Sequence, residues 1–145
     1  MPTQGLGKTN GSKPEGSGPK KGPAFTTLVV DGKQSLDLEL GEFLKREEHR
    51  ILRADSAEKA IVQTRQFQPD LILLDSEIGG VSGLALLGGL LLEQYSAAVI
   101  MVSSHPSVAE AVEAVKRGAV DYLAVPLDLT RLKLSIDAQK DFINM

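Results

Sequence analysis

The chain has 145 residues, of which 42% are hydrophobic and 24% charged, as is typical of one soluble globular domain. Its formal net charge is −3, and no basic cluster is interleaved with aromatic residues, so we expect no direct binding of nucleic acid. The absence of cysteine excludes disulfides and thiolate metal sites, and with only two isolated histidines any metal must be held by carboxylates.

No segment of the sequence is suited to a membrane. The longest apolar stretch, Gly83 to Leu92, is about half of the length that a membrane span needs. The N-terminus lacks the apolar core of a signal peptide. We therefore expect a cytoplasmic protein.

The first 23 residues differ in composition from the rest. They hold six of the fourteen glycines, four of the seven prolines, four lysines and one glutamate. Such a segment buries too little apolar surface to offset its chain entropy, which predicts a flexible tail over residues 1–23. The tail carries a formal charge of +3, so the remaining residues carry −6, an acidic balance that suits a divalent cation.

From Thr26 onward, short apolar runs alternate with amphipathic stretches, the pattern of a parallel sheet covered by helices on both faces. Most of the runs are continuously apolar, as strands buried on both faces require. The sequence therefore predicts a (βα)5 domain, a doubly wound α/β fold with five parallel strands. The strands are expected at Thr27–Val30, Arg50–Arg53, Leu71–Leu74, Val99–Val102 and Val120–Ala124.

Local signals set the helices between these strands. Apolar stripes with helical spacing occur in two stretches, and serine caps are expected at Ser35, Ser56 and Ser82. Gly118 is expected to end the fourth helix, and Pro69 limits the second. The stripes are Leu36, Leu40, Phe43 and Leu44 in the first helix and Val108, Ala111, Val112 and Val115 in the fourth.

Polar residues follow several of the strands. In an open parallel sheet, ligands bind outside the carboxyl ends of the strands, where the strand order reverses. Asp31 follows the first strand, Asp75 the third and Ser103 the fourth. Two carboxylates and a hydroxyl are thus expected on one edge of the sheet.

These strings together resemble the receiver domain of two-component response regulators, over Thr26 to about Asp137. The matching pieces are Leu28–Asp31, Pro69–Asp75, Gly80, Gly83, Ile100–Ser104 and Gly118–Leu123. The resemblance implies a flavodoxin-like sheet with strand order 2-1-3-4-5 and a receiver domain over residues 24–145. It also implies that the chain is not an independent enzyme.

The resemblance further implies specific roles. Asp75 would be the phosphoacceptor that attacks a phosphohistidine on a sensor histidine kinase. Mg²⁺ would be held by Asp31, Asp75 and the backbone carbonyl of Glu77. Ser103 would bind the phosphoryl oxygens, and Tyr122 would be the aromatic side chain that responds to that contact.

The sequence departs from the family pattern at several positions. Gly32 stands where a second acid is usual, and Lys33 where a further acid is common. Val125 replaces the lysine expected before Pro126, and Gly79 replaces a proline in the loop after the third strand, which we expect to relax that loop. We therefore expect weak Mg²⁺ binding and, in the usual geometry, a cis peptide bond before Pro126.

Two hypotheses concern replacements for the missing charged residues, and a third concerns a protein interface. Lys33 or the Glu77 side chain could replace the missing groups, and the alternative is that both are solvated loop charges. The third helix is apolar nearly all round, which predicts that Leu86, Leu90 and their neighbours form a protein interface. A homodimer through this helix, or through the face made by the fourth helix, fifth strand and fifth helix, is also an expected mode of association.

Two functions from different classes remain open at this point. The first is a phosphorelay receiver that is phosphorylated on Asp75 with Mg²⁺ and signals through protein contacts. The second is a degenerate receiver that serves as a docking or dimerisation module without phosphate. The chain is either a single-domain regulator or the receiver part of a longer regulator.

Overall fold

The computed structural model describes residues 25–32 and 38–143 of the chain. The expected tail over residues 1–23, the Ser35 cap, Leu36 and Lys33 lie outside the described residues. We number the strands of the main sheet β1 to β5. In chain order the elements are β1 (Phe25–Val30), α1 (Leu38–Arg46), β2 (His49–Ala54), α2 (Ala57–Phe67), β3 (Leu71–Asp75), α3 (Gly83–Glu93), β4 (Ala98–Ser103), α4 (Val108–Lys116), β5 (Asp121–Ala124) and α5 (Leu129–Ile143), with a short hairpin (Glu77–Ile78 and Val81–Ser82) between β3 and α3.

The five strands form one parallel sheet in the order β2-β1-β3-β4-β5. This confirms the expected (βα)5 fold and its strand order. Each predicted strand is present, and the limits differ by one or two residues at the ends. The order reverses between β1 and β3, which places the ligand-binding edge at their carboxyl ends.

Continuous apolar runs make the sheet a central layer. Every residue of β3 and β4 is buried, whereas the edge strands β2 and β5 are partly exposed. Alternate side chains point to opposite faces, so each strand contributes to two cores. One core includes Leu28, Val30, Ile72, Leu74, Leu87, Leu90, Val99 and Met101, and the other includes Val29, Leu40, Phe43, Leu44, Leu73, Ile100, Val102, Leu132 and Ile136.

Helix ends follow the polar signals in the sequence. Ser56 and Ser82 cap α2 and α3 by accepting backbone N–H bonds from Lys59 at 3.2 Å and Leu84 at 3.1 Å, which confirms both expected caps. Gly118 follows α4 with a φ of +113°, a conformation that favours glycine, and this confirms the expected end of that helix. Within the described residues, no helix is long and apolar enough to cross a membrane.

Leu86 and Leu90 of the apolar third helix are buried within the domain, so the interface predicted at these two leucines is wrong. Leu90 is fully buried and Leu86 is only 7% exposed. The helix is covered by the sheet on one side and by α2 on another, where a Cβ added at Gly89 would lie 3.3 Å from Ile61 Cδ1. Gly89 thus allows a close contact with α2, whereas a Cβ added at Gly88 would meet nothing within 4 Å. Of the leucines in this helix, Leu92 is the one left largely exposed, at 88%.

The valines of the apolar stripe predicted for the fourth helix lie on its exposed side. Val108, Val112 and Val115 are 81%, 49% and 58% exposed, so they do not face the sheet. The fully buried residue of this helix is Ala114, and its small side chain packs in the core beside Tyr122. The stripe is therefore a solvent-exposed apolar row along α4.

A buried histidine lies near the amino end of the sheet. His49 Nδ1 is 2.7 Å from Thr27 Oγ1, and its ring makes an edge contact with Phe25. Burial lowers the pKa of His49 from 6.5 to about 4; the charge of Lys140 adds to this shift, while Glu47 and Asp137 oppose it. The imidazole is therefore neutral in the folded protein near neutral pH.

This histidine makes the stability of the domain depend on pH. Below pH 6.5 the unfolded chain takes up a proton at His49, whereas the folded chain does so only near pH 4. The free energy of unfolding therefore falls on acidification across this window, by about 2 kcal/mol between pH 7 and pH 5 from this group alone. Urea denaturation at both pH values is the measurement, and His49→Gln is expected to lack this part of the pH dependence.

The matched control is His105→Gln, which alters the second histidine of the chain at an exposed position. This control is expected to keep the wild-type difference between pH 7 and pH 5. An equal pH dependence in wild type and His49→Gln would contradict the assignment to His49.

Candidate phosphoryl site

Asp31 and Asp75 lie side by side at the carboxyl edge of the sheet. Val30 pairs with Leu74, so the two aspartates that follow occupy adjacent strand ends, and neighbouring strands are about 4.8 Å apart. Both residues are buried, at 5% and 9% exposure. The Asp75 Oδ1 atom accepts a hydrogen bond of 3.1 Å from the backbone N–H of Glu77. The structure thus brings together the two carboxylates singled out in the sequence.

Ser103 ends the next strand and is 1% exposed. Asp75 pairs with Val102, which places Ser103 one residue further along the same edge. The Ser103 Oγ atom accepts hydrogen bonds from Ser76 Oγ and from the backbone N–H of His105, both at 3.2 Å. Ser103 therefore belongs to the edge that carries the two aspartates.

Tyr122 connects the fifth strand to the first turn of α4. Its hydroxyl accepts a hydrogen bond of 3.2 Å from the backbone N–H of Ser107 and donates a short one to the carboxylate of Glu110. Ser107 also caps α4 through a 3.0 Å bond from the Glu110 N–H. The Tyr122 ring packs against the core beneath α4. The position of Tyr122 is thus tied to the start of that helix.

The loop after Asp75 forms a hairpin, and the relaxation expected from Gly79 stays a prediction. Glu77 pairs with Ser82 and Ile78 with Val81. Gly79 and Gly80 form the turn with φ of +55° and +86°, the left-handed conformations that a tight two-residue hairpin needs. The adjacent glycines were the signal for this hairpin in the sequence.

Gly83 closes this segment against the end of β3. Its N–H donates a 2.8 Å hydrogen bond to the carbonyl of Ser76. A Cβ atom at this position would lie 2.3 Å from the backbone oxygen of Asp75 and 3.0 Å from Ser76 Cα. Only glycine fits such an approach of α3 to the strand end.

Gly32, the position of the missing acid, is covered by the hairpin. A Cβ added to Gly32 would meet the backbone nitrogen of Gly79 at 3.0 Å and Ile78 Cα at 3.3 Å. The hairpin turn therefore occupies the space into which a side chain at position 32 would extend. The absence of a second acid at position 32 thus goes together with close packing of the hairpin turn against this residue.

Val125, which stands where the family has lysine, packs inward. Its side chain contacts the core on the α1 and α5 face, and its N–H donates a 2.9 Å bond to the Ser103 carbonyl. The peptide bond between Val125 and Pro126 is cis, as expected. The backbone geometry of this strand end is thus present without the cation.

The donor set fits a hard cation held by two carboxylates. Asp31 and Asp75 supply oxygen ligands, and Mg²⁺ commonly takes one or two carboxylates and completes its shell with water and phosphate oxygens. Across residues 25–32 and 38–143, no cluster of three or more acidic or histidine side chains could hold a metal. A cation site here therefore has one carboxylate fewer than the family pattern. The Glu77 side chain is exposed, and Lys33 lies outside the described residues.

The family model "Response regulator receiver domain" matches residues 27–137. This chain belongs to the receiver-domain family of response regulators. The match covers all five strands of the main sheet except the first two residues of β1.

Known relatives and structures agree with this membership. The transcriptional regulatory protein ZraR of Escherichia coli K12 is 33% identical over 110 residues, which are 76% of this chain and 25% of that protein. The signal receiver domain of a Luxo repressor protein from Vibrio parahaemolyticus has a TM-score of 0.75 at 26% identity and covers 85% of this chain and 99% of its own. The chain spans about a quarter of the length of the curated relatives it matches first.

A third similar structure bears on the chemistry of the family. It is a response regulator from Burkholderia pseudomallei with a phosphorylated aspartic acid, a calcium ion and citrate. Its TM-score is 0.71 at 26% identity, over 83% of this chain and 75% of that one. Aspartyl phosphorylation and a divalent cation thus occur on this fold in a relative.

Sequence reasoning missed three residues near the candidate site. Ser76 contacts Ser103, and Ser107 and Glu110 bind the Tyr122 hydroxyl. The Ser107-x-x-Glu110 spacing is a capping signal that was available in the sequence. No local signal pairs Ser76 with Ser103, because that contact joins residues on different strands.

Restoring the missing acid is expected to disturb the hairpin. Gly32→Asp places a Cβ against the Ile78–Gly79 backbone, so we expect a loss of about 1–3 kcal/mol in the free energy of unfolding. The affinity for Mg²⁺, measured by calorimetric titration, is expected not to rise to that of a three-acid site, because the turn fills the space that the carboxylate needs.

Gly32→Ala is the matched control, since it adds the same Cβ without a charge. It is expected to lose a similar part of the stability in urea denaturation. A Gly32→Asp protein with wild-type stability and strongly increased Mg²⁺ affinity would contradict this interpretation.

Proposed function

We propose that this chain is the receiver domain of a phosphorelay, in which Asp75 accepts a phosphoryl group from the phosphohistidine of a sensor kinase. Mg²⁺ would be weakly held by Asp31, Asp75 and the Glu77 carbonyl. Ser103 binds the phosphoryl oxygens, and Tyr122 carries the change to α4. The output is a protein contact, without enzymatic activity of its own.

The arrangement of Asp75 between Asp31 and Ser103 is the observation that supports this proposal most. These residues end three neighbouring strands, and all are at least nine-tenths buried. A nucleophilic carboxylate, a carboxylate for a cation and a hydroxyl donor are the groups that phosphoryl transfer to aspartate requires. Membership in the receiver family supports the same assignment.

The chemistry is a displacement at phosphorus. A carboxylate oxygen of Asp75 forms a bond to phosphorus as the bond from phosphorus to the histidine nitrogen breaks, and the electron pair leaves with the imidazole. When bound, Mg²⁺ offsets the repulsion between the carboxylate and the phosphoryl oxygens. Asp31 would hold the cation, and the Ser103 hydroxyl would donate a hydrogen bond to a phosphoryl oxygen.

A chain of contacts connects this edge to α4. Ser103 Oγ accepts from the His105 N–H, and two residues later the Ser107 N–H donates to the Tyr122 hydroxyl. A shift of Ser103 toward the phosphoryl group would displace this loop, and with it the first turn of α4. These contacts between Ser103 and α4 do not involve position 125, where the family has a lysine.

A second candidate is a docking or dimerisation module that acts without phosphate. The exposed valine row of α4, formed by Val108, Val112 and Val115, favours it. A second copy of the chain is the partner we assign to this row. The inward-packed Val125 and the glycine at position 32 are consistent with this alternative.

Residues 24–145 form the receiver, preceded by a tail over residues 1–23. The domain acts in the cytoplasm, with a sensor histidine kinase or a phosphotransfer protein as donor. We infer no direct contact with nucleic acid or membrane by this chain.

Phosphorylation of Asp75 is tested by incubating the 145-residue chain with acetyl phosphate and millimolar Mg²⁺. Intact mass spectrometry is expected to show the gain of one phosphoryl group. Asp75→Asn is expected to abolish the gain, because the nucleophilic carboxylate is lost. Asp55→Asn is the matched control, since Asp55 follows β2 near the same edge but is exposed; it is expected to be phosphorylated like wild type.

Sedimentation of the same samples separates the two candidates. Dimerisation that requires phosphate and is lost in Asp75→Asn supports the phosphorelay receiver. No mass gain in wild type, together with a dimer that is equally stable in Asp75→Asn, would contradict it and favour the docking module.

A further inference from the structure

A pair of serine hydroxyls connects the ends of β3 and β4. Ser76 directly follows Asp75, and its Oγ donates a 3.2 Å hydrogen bond to Ser103 Oγ. The backbone N–H of His105 donates a second 3.2 Å bond to the same oxygen. Two donors thus converge on the hydroxyl oxygen of a residue that is 1% exposed.

This convergence determines what the Ser103 hydroxyl can still do. A hydroxyl oxygen has two acceptor positions and one proton. With both acceptor positions used by Ser76 and His105, a further partner of Ser103 must accept its proton. The oxygens of a phosphoryl group are acceptors, so the arrangement holds the hydroxyl as a donor before the phosphoryl group arrives.

The backbone of Ser76 is fixed on both sides. Its N–H donates to the carbonyl of Val102, and its carbonyl accepts from the N–H of Gly83, both at 2.8 Å. A Cβ added at Gly83 would lie 2.3 Å from the Asp75 carbonyl oxygen and 3.0 Å from Ser76 Cα, so the start of α3 lies close against this segment. The Ser76 hydroxyl is therefore presented from a rigid position.

We propose that Ser76 is a positioning residue that orients the Ser103 hydroxyl as a hydrogen-bond donor toward the phosphoryl group on Asp75. This inference rests on the proposed function, since it assigns Ser76 a part in the same site. Ser76 acts through Ser103 and does not itself contact the transferred group.

A double-mutant cycle with the phosphoryl mimic beryllofluoride and Mg²⁺ tests the inference. Ser76→Ala is expected to weaken beryllofluoride binding by about three- to tenfold, the range for one hydrogen bond. Ser103→Ala is expected to weaken it further, and adding Ser76→Ala to Ser103→Ala is expected to change nothing more. Ser104→Ala is the control, because this exposed serine lies beside Ser103 but its hydroxyl contacts only the His105 ring among the described residues.

A second measurement needs neither Mg²⁺ nor beryllofluoride. The amide resonance of His105, whose N–H donates to Ser103 Oγ, is expected to shift in Ser76→Ala. Urea denaturation of each variant shows whether the protein is folded under the conditions of the titration.

The outcomes separate the inference from the proposed function. Beryllofluoride binding in wild type with additive effects of the two substitutions, or with no effect of Ser76→Ala, overturns the inference and leaves the phosphorelay intact. No binding in wild type contradicts the proposed function and the inference with it. Non-additive losses with a shifted His105 amide support both.

Discussion

Burial of the parallel sheet on both faces is the constraint on which the rest of the structure depends. Parallel strands need helical crossovers, and those helices cover both faces of the sheet, so polar groups of the central strands reach solvent at the strand ends. The carboxyl end is where Asp31, Asp75 and Ser103 come together, although 72 residues separate the first from the last. The same apolar runs that stabilise the fold therefore define the candidate site.

The carboxyl edge of the sheet brings Asp31, Asp75 and Ser103 together, but it lacks two charged side chains of the family pattern, the acid at position 32 and the lysine at position 125. Val125 keeps the backbone bond to Ser103, and its partly buried side chain packs against the core. At Gly32 the hairpin turn fills the space of a side chain. Where the family has a lysine, position 125 has a valine that packs against the core. Where the family has a second acid, position 32 has a glycine that lies close to the hairpin turn. Both departures leave the buried carboxylate of Asp75 in place.

Much of the fold was predictable because local signals and tertiary packing agree. Continuous apolar runs identified the buried strands, and Ser56 and Ser82 marked helix starts correctly. The apolar stripe of α4 identified a helix but did not show which side faces the sheet, since exposed and buried valines look alike in sequence and only packing shows that Ala114 is the buried residue. The leucines of α3 were assigned to an interface because the sequence does not show which neighbours cover a helix. Contacts between strand ends, such as Ser76 with Ser103, depend on register and need coordinates.

The central claim is that occupation of Asp75 changes the surroundings of Tyr122 even though Val125 replaces the lysine. The chain has two tyrosines, and Tyr95 is 88% exposed and lies in the loop before β4, away from the carboxyl edge. The most direct measurement is the ¹⁹F spectrum of fluorotyrosine-labelled protein with Mg²⁺ and beryllofluoride. The Tyr122 resonance is expected to move while Tyr95 stays, and neither should move in Asp75→Asn. A Tyr122 resonance that stays fixed while beryllofluoride occupies Asp75 would contradict the account.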